Sequence, residues 1–298
     1  MTESRPAALL LPVAALVTGM VSLQTGAAFA KSLFPLVGAA GVSALRVGFS
    51  ALILLAVWRP WRRSLHAGEA GWILLYGAAL GLMNLLFYMA LRTIPLGPAV
   101  AIEFAGPLAV ALAASRRPMD FLWIGLAVLG LWLLLPLGSA SGGLGALDPV
   151  GVAYVLGAAL AWALYILFGQ RAGRAHGGQA VSLGMATAAL VVAPFGLAEA
   201  GTGLFAPAVL ASGLAVAVAS SALPYSLEMF ALRRLDRQSF GVLMSLEPAI
   251  ASFAALIVLG EHLTAVQELA IACIIVASAG ITVGSRRRAR VGPGTAAP

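Results

Sequence analysis

The chain has 298 residues, 61% of them hydrophobic and 10% charged, with a formal net charge of +7 and a mean hydropathy of +0.99. Soluble domains carry about a quarter charged residues, so this composition excludes a water-covered globule and calls for lipid as solvent. The positive charge is spread over many short loops, which excludes a nucleic-acid footprint and points to membrane topology and anionic headgroups.

A helix crossing the hydrocarbon core needs roughly 20 apolar residues. With Arg clusters, Pro and Gly as punctuation, ten such spans follow one another at about 8–33, 41–58, 71–91, 95–115, 120–137, 149–169, 180–198, 206–231, 239–259 and 264–284. The expected class is therefore an all-α integral membrane protein. Single Cys273 lies in an apolar run, and His66, His176 and His262 fall in loops or at helix ends. That supplies neither a disulfide framework nor a metal centre, and no cofactor is expected.

The first span carries Gln24, Thr25 and Lys31. Gln24 and Lys31 stand seven residues apart, two helical turns, hence on one face. Ala28-Phe29-Ala30 resembles a signal-peptidase site behind an apolar stretch, but cleavage there would break the repeat described below. Arg46 in the second span and Lys31 fall in the outer third of their helices. Each has two readings, snorkelling to the headgroups or lining a cavity, and Lys31 is the better placed to neutralise a substrate carboxylate. In the third span Asn84, Phe87 and Tyr88 share a face at i, i+3, i+4 spacing.

The fourth span places Glu103 near its middle, four residues before Pro107. A Gly/Ser-rich stretch, 138–147, is the natural hinge after the fifth. Trp162 and Tyr165 share a face of the sixth, where aromatic residues also serve as interface anchors or lipid-facing packing. In the eighth, Ser220, Ser221, Pro224 and Tyr225 precede Glu228, which sits a turn from Arg233 and Arg234 and suits an interfacial salt bridge as well as a transport role. The ninth has Glu247 near its middle, directly before Pro248. A mid-helix Pro frees the carbonyl four residues earlier, here those of Glu103 and Met244. Polar side chain and loosened backbone then coincide at membrane depth, which is tolerable only where protein or a watery cavity surrounds them. The alternative is a packing kink with a protonated, hydrogen-bonded Glu.

Fifteen of the eighteen Lys and Arg residues lie at the two ends or in the even-numbered gaps: Arg5; Arg59, Arg62 and Arg63; Arg116 and Arg117; Arg171 and Arg174; Arg233, Arg234 and Arg237; and Arg286, Arg287, Arg288 and Arg290. Short basic loops stay cytoplasmic, so both termini are expected inside. The odd gaps hold Asp148, Glu199 and Glu261. Residues 90–107 align without gaps on 231–248, matching Ala90, Leu91, Arg92 and Pro107 to Ala231, Leu232, Arg233 and Pro248. Val42-Ser43 and Val181-Ser182 give a weaker second match. Five spans per half insert the halves in opposite orientation, the plan of many secondary transporters. Residues 1–140 and 141–285 are the expected repeats, with 286–298 a basic tail.

Longer strings carry a resemblance. Residues 30–38 (Ala-Lys-Ser-Leu-Phe-Pro-Leu-Val-Gly), Glu103-Phe104 with Gly106-Pro107-Leu108, Arg116-Arg117-Pro118 with Asp120, Gln170-Arg171-Ala172-Gly173, Leu223 to Met229 and Leu243 to Pro248 resemble the EamA branch of the drug/metabolite transporter superfamily. The likeness runs from about residue 8 to 284. It implies ten helices in two inverted repeats and export of small amino acids, threonine- or homoserine-like, across a bacterial inner membrane. The second repeat ends its ninth span with Gly260-Glu261 as the family does, whereas the first has Arg116-Arg117-Pro118 there.

Such a substrate is a zwitterion with a hydroxyl. Lys31 is expected to meet its carboxylate and Glu103 its ammonium, with Gln24 or Asn84 at the hydroxyl and Tyr88, Trp162 and Tyr165 lining the site. No G-x-x-x-x-G-K-[ST] loop is present, so proton antiport by alternating access is the expected energy source. Glu103, Glu247 and Glu228 are the proton-carrying candidates, beside helix breaks at Pro107, Pro224 and Pro248. The partners expected are the amino acid, the proton and lipid; nothing sets an oligomeric state. An exporter of other metabolites or cationic drugs shares the scaffold. An intramembrane lipid-modifying enzyme would need clustered Asp, His or Cys, which the scattered acids do not provide.

Overall fold

The computed structural model describes residues 5–62, 67–113, 118–134, 147–232, 234–235, 240 and 243–290. The hinge stretch 138–146, Arg63, Arg116, Arg117, Arg233, Arg237 and the tail from 291 lie outside the described residues. Among those described there are helices and no strands: α1 Arg5–Ser32, α2 Phe34–Trp58, α3 Ala67–Ala90, α4 Leu96–Glu103, α5 Ala105–Ala113, α6 Pro118–Leu134, α7 Pro149–Ala200, α8 Pro207–Ala217, α9 Leu223–Leu232, α10 Glu247–Leu259 and α11 Ala265–Arg290.

The starts are written by proline, whose missing N–H costs nothing in a first helical turn. Pro118, Pro149, Pro207 and Pro248 all stand there, and Asp148 caps α7 by accepting a hydrogen bond from Gly151 N at 2.8 Å. Gly260, at φ 66°, ends α10 in the left-handed region that favours glycine. Five stretches are long and apolar enough to cross a membrane: Leu10–Ser32, Phe34–Arg62, Ala70–Ala90, Pro149–Ala172 and Gln179–Phe205. Five shorter apolar helices accompany them, Leu96–Val110, Phe121–Leu133, Pro207–Ala222, Glu247–Leu259 and Ala265–Gly280. The outward surface is apolar, with Leu190 75% and Ile257 77% exposed, while Glu103 and Glu247 are 8% and 5% exposed. That is the arrangement of a chain solvated by lipid.

Three boundaries depart from the sequence expectation. Helical residues follow one another through α7 across the Arg171–Arg174 gap. Gly169 and Gly184 nevertheless both abut the ring of Tyr76. In a straight helix fifteen residues span about 22 Å, far more than one ring covers, so the chain doubles back between Ala172 and Ala180 and the expected sixth and seventh spans are its two arms. The second span begins at Phe34 rather than 41, interrupted at Gly38 (φ 70°, ψ 171°). Pro248 marks an interruption rather than a bend in a continuous helix: helical Leu243 and Met244 precede a turn closed by Leu246 N donating to Leu243 O at 3.0 Å, and Pro248 stands in the first turn of α10.

α1 packs on α9 and α10, α3 on α7, α2 on α7 and α8, α4 on α10 and α6 on α11. Small residues permit the closest crossings: Gly26 of α1 would place a Cβ 3.0 Å from Ser220 Cβ. The acidic odd gaps gather at one end of the bundle, where Lys31, Ile94, Glu199 and Glu261 meet. Gln179 and Pro60 meet at the opposite, basic end, where Arg171 also lies over Trp72.

Candidate functional site

The centre of the bundle is built on helix interruptions. α4 and α5 part at Phe104, and Pro107 supplies no donor for Glu103 O. Between α8 and α9 lies a π-helical turn, Val218–Ala222, in which Leu223 N donates to Val218 O, five residues back. That step leaves Ala219 O without its helical donor, and Pro224 leaves Ser220 O without one. Side chains from the other half fill both: Ser22 Oγ donates to Ala219 O at 2.7 Å and Arg46 Nη2 to Ser220 O at 3.1 Å. π-turns concentrate at functional sites for this reason.

Arg46 is buried at 8% exposure. Its Nη1 donates to Asn84 Oδ1 at 2.9 Å, and Asn84 Nδ2 donates to Leu80 O at 2.9 Å, which fixes the amide's orientation. The guanidinium lies 5.5 Å from the centre of the Tyr88 ring. The snorkelling alternative for Arg46 is thus set aside. Counted from the break at Gly38, eight residues at 1.5 Å carry it about 12 Å inward. Its charge reaches Glu103, as does that of Glu247.

Glu247 comes from the opposite half, in the first turn of α10, where the helix dipole favours an acid. Its Oε1 accepts a hydrogen bond from Gln24 Nε2 at 2.9 Å, while buried Oε2 has no hydrogen-bond partner among the described residues. Glu228 is half-buried and lies within electrostatic reach of both Glu247 and Tyr165. Tyr165 stacks on Tyr76 at 4.8 Å, beside a cavity of about 230 Å³ lined also by Gly169 and Ala180, toward the basic end. Trp162 meets Phe104 edge-on at 5.6 Å.

The expected residues therefore divide. Gln24, Asn84, Tyr88, Glu103 and Glu247 converge at the centre; Tyr165 and Glu228 extend it toward the basic end, and Trp162 supports the α4–α5 break. Lys31 shares Gln24's face of α1 but ends elsewhere. Its ammonium donates to Glu261 Oε1 at 2.6 Å and Ile94 O at 2.9 Å, at the acidic end, where Glu261 Oε2 also accepts from Leu96 N at 2.8 Å. A second closure there joins Arg92 to Glu199 at 3.5 Å, and Glu199 Oε2 accepts from Ala40 N at 2.7 Å. Sequence reasoning left Arg46 undecided and gave Ser22, Glu199 and Glu261 no place in these contacts; the signal available for Arg46 was Pro224, which fixes where a freed carbonyl must sit. Among the described residues no group of three His, Cys, Asp or Glu could hold a metal ion.

Residues 149–283 match the EamA-like transporter family. The chain is 53% identical over 281 residues to the threonine/homoserine exporter RhtA of Salmonella typhimurium and 52% identical to that of Escherichia coli K12, covering 94% of each chain in both cases. A solved crystal structure is similar across 98% of this chain and 100% of its own, with a TM-score of 0.56 and 21% identity, a likeness of fold.

Proposed function

The chain belongs to the EamA-like transporter family, and from that premise we propose that it exports small amino acids, threonine and homoserine among them, by alternating access coupled to proton antiport. It is a multi-pass membrane protein; in the proposed arrangement ten spans form two inverted five-helix repeats with both termini cytoplasmic. Supporting this, first-half α1 lies on α9 and α10 while second-half α7 lies on α3, α4 and α5, and α4 meets α10 as α6 meets α11. These are the reciprocal contacts that a two-fold in the membrane plane requires.

The observation that carries the reading is the pair Glu103 and Glu247, one from each half, buried at the centre within reach of each other's charge, with one oxygen of Glu247 unpartnered among the described residues. An ionisable group at this depth serves transport by default. In one half-cycle a carboxyl holds a proton; on releasing it, the same carboxylate accepts the substrate's ammonium. Gln24 orients Glu247 for this exchange, and the substrate hydroxyl falls to Gln24 or Asn84. The 53% identity to the Salmonella exporter supports the substrate class. Lys31–Glu261 and Arg92–Glu199 would close the outward end in this state, so Lys31 serves as a gate residue rather than the carboxylate partner.

Glu103→Gln in proteoliposomes tests the coupling. Labelled threonine should leave wild-type vesicles in proportion to an imposed pH gradient. The variant should lose that dependence, and its gradient-driven flux should fall at least about tenfold, the loss of one charged hydrogen bond. Undiminished, pH-dependent efflux would sink the assignment.

A further inference from the structure

We infer that Arg46 receives the substrate's carboxylate, and that it thereby makes the transporter select amino acids over amines of the same shape. The inference rests on the Glu103–Glu247 centre being the amino-acid site and adds the group that decides what enters it.

A buried cation is expensive unless its charge is answered. The structure spends three elements on holding this one. α2 carries it inward past the Gly38 break, α3 supplies Asn84 Oδ1, and the π-turn supplies Ser220 O, freed by Pro224. Asn84 Oδ1 and Ser220 O are neutral oxygens that orient the guanidinium. Ser50 Oγ donates to Arg46 O at 2.7 Å and ties the backbone beneath it. The Tyr88 ring, its centre 5.5 Å from the guanidinium carbon, limits its swing. A planar fork held in this way suits a carboxylate better than a hydroxyl or a halide.

The acids complete the match. Glu103 lies within electrostatic reach of both Arg46 and Glu247. The centre thus presents a cation and two carboxyls to one space, the complement of an α-amino acid's carboxylate and ammonium. In the empty site Glu103 answers Arg46; when the substrate's carboxylate arrives it takes that place, and Glu103 turns to the ammonium. Binding of one end of the zwitterion releases the partner for the other, which a simple amine cannot do. Arg46 also spans the halves, from α2 to the π-turn. Replacing Ser220 O by a substrate oxygen would therefore loosen a contact that must change as the halves rock.

The test compares labelled threonine with 1-amino-2-propanol, which is threonine without its carboxylate, in proteoliposomes of wild type, Arg46→Gln and Arg46→Lys. Sites built to pair a polar group reject analogues lacking it by about 10⁴–10⁵-fold. Wild type should favour threonine over the amine by about a hundredfold or more. Arg46→Gln should lower threonine flux far more than the amine's, bringing the ratio to within about threefold, and Arg46→Lys should recover part of it because charge returns without the fork. Should Arg46→Gln not fold, the wild-type ratio and the Arg46→Lys ratio decide: equal transport of threonine and amine by wild type overturns the inference, as does an unchanged ratio in Arg46→Lys. If wild type carries threonine and Arg46→Gln keeps its preference, the inference fails alone. If wild type carries no amino acid, the exporter reading fails and takes the inference with it.

Discussion

Replacing Gly38 by Ala should destabilise the fold at its acidic end, and the size of the effect can be built from the site. Gly38 has φ 70° and ψ 171°, a region essentially reserved for glycine, where another residue costs about 1–3 kcal/mol. A Cβ there would also fall inside the Glu199 carboxyl, 2.5 Å from each oxygen. The carboxyl must leave, and with it goes the hydrogen bond from Ala40 N at 2.7 Å, which caps the continuation of α2. Glu199 is 27% exposed, so water partly replaces it, and the cap is worth about 1–2 kcal/mol. The Arg92 contact, at 3.5 Å with Arg92 half exposed, contributes next to nothing. Gly38→Ala should therefore cost about 2–5 kcal/mol.

Equilibrium unfolding in mixed detergent micelles, followed by tryptophan fluorescence, measures this. Glu199→Ala alone should cost about 1–2 kcal/mol. Placed on top of Gly38→Ala it should cost nothing more, because the first substitution has already expelled the carboxyl, and the two should couple by about the value of the cap. Strict additivity, or a Gly38→Ala chain as stable as wild type, would refute the reasoning.

The same titration checks two further expectations. Glu261→Ala removes an acceptor for Lys31 Nζ and for Leu96 N and should cost about 2–4 kcal/mol, whereas Lys31→Ala, which leaves the Leu96 contact in place, should cost only about 1 kcal/mol; a reversed order would discredit the gate as drawn. At Gly106 a Cβ would strike the Ala159 carbonyl, so Gly106→Val should cost about 2–4 kcal/mol or abolish accumulation, while Gly48→Ala, with open space around it, should stabilise by up to about 1 kcal/mol.

What could be read from the sequence was what depends on one helix at a time. The Arg clusters divide the gaps into two kinds; the structure gathers acidic Glu199 and Glu261 at one end and brings the described parts of two basic gaps together at the other, through Pro60–Gln179 and Arg171–Trp72. Glu103 and Pro107 announce the α4–α5 break because the missing N–H is a property of proline itself. Even the Arg171–Arg174 gap, which has helical residues on both sides, marks a reversal that only Tyr76, touched from both arms, makes visible. What depended on neighbouring helices was not legible. Pro248 reads as a mid-helix kink until the preceding turn at Leu243–Leu246 is seen. Lys31 reads as a site cation because nothing in the sequence says that Glu261, 230 residues away, will accept from it.

Arg46 shows why the difference is physical. A lone arginine in an apolar span has two low-energy fates, the headgroups or a polar partner at depth, and its own helix does not choose between them. The choice is made by Pro224 and the π-turn, which leave two carbonyls of the second half exposed toward α1 and α2. Those carbonyls need donors because lipid offers none, and Ser22 and Arg46 are the donors that the first half brings. The backbone defect and the buried charge thus stabilise each other, and each would be costly alone. A contact of that kind costs less to rearrange than a packed apolar interface does: a freed carbonyl can trade one donor for another, and a guanidinium one oxygen for another. In the proposed cycle, then, the two halves would separate where their hold on each other is polar, at Arg46–Ser220 and Gln24–Glu247, while the apolar crossings move as rigid units.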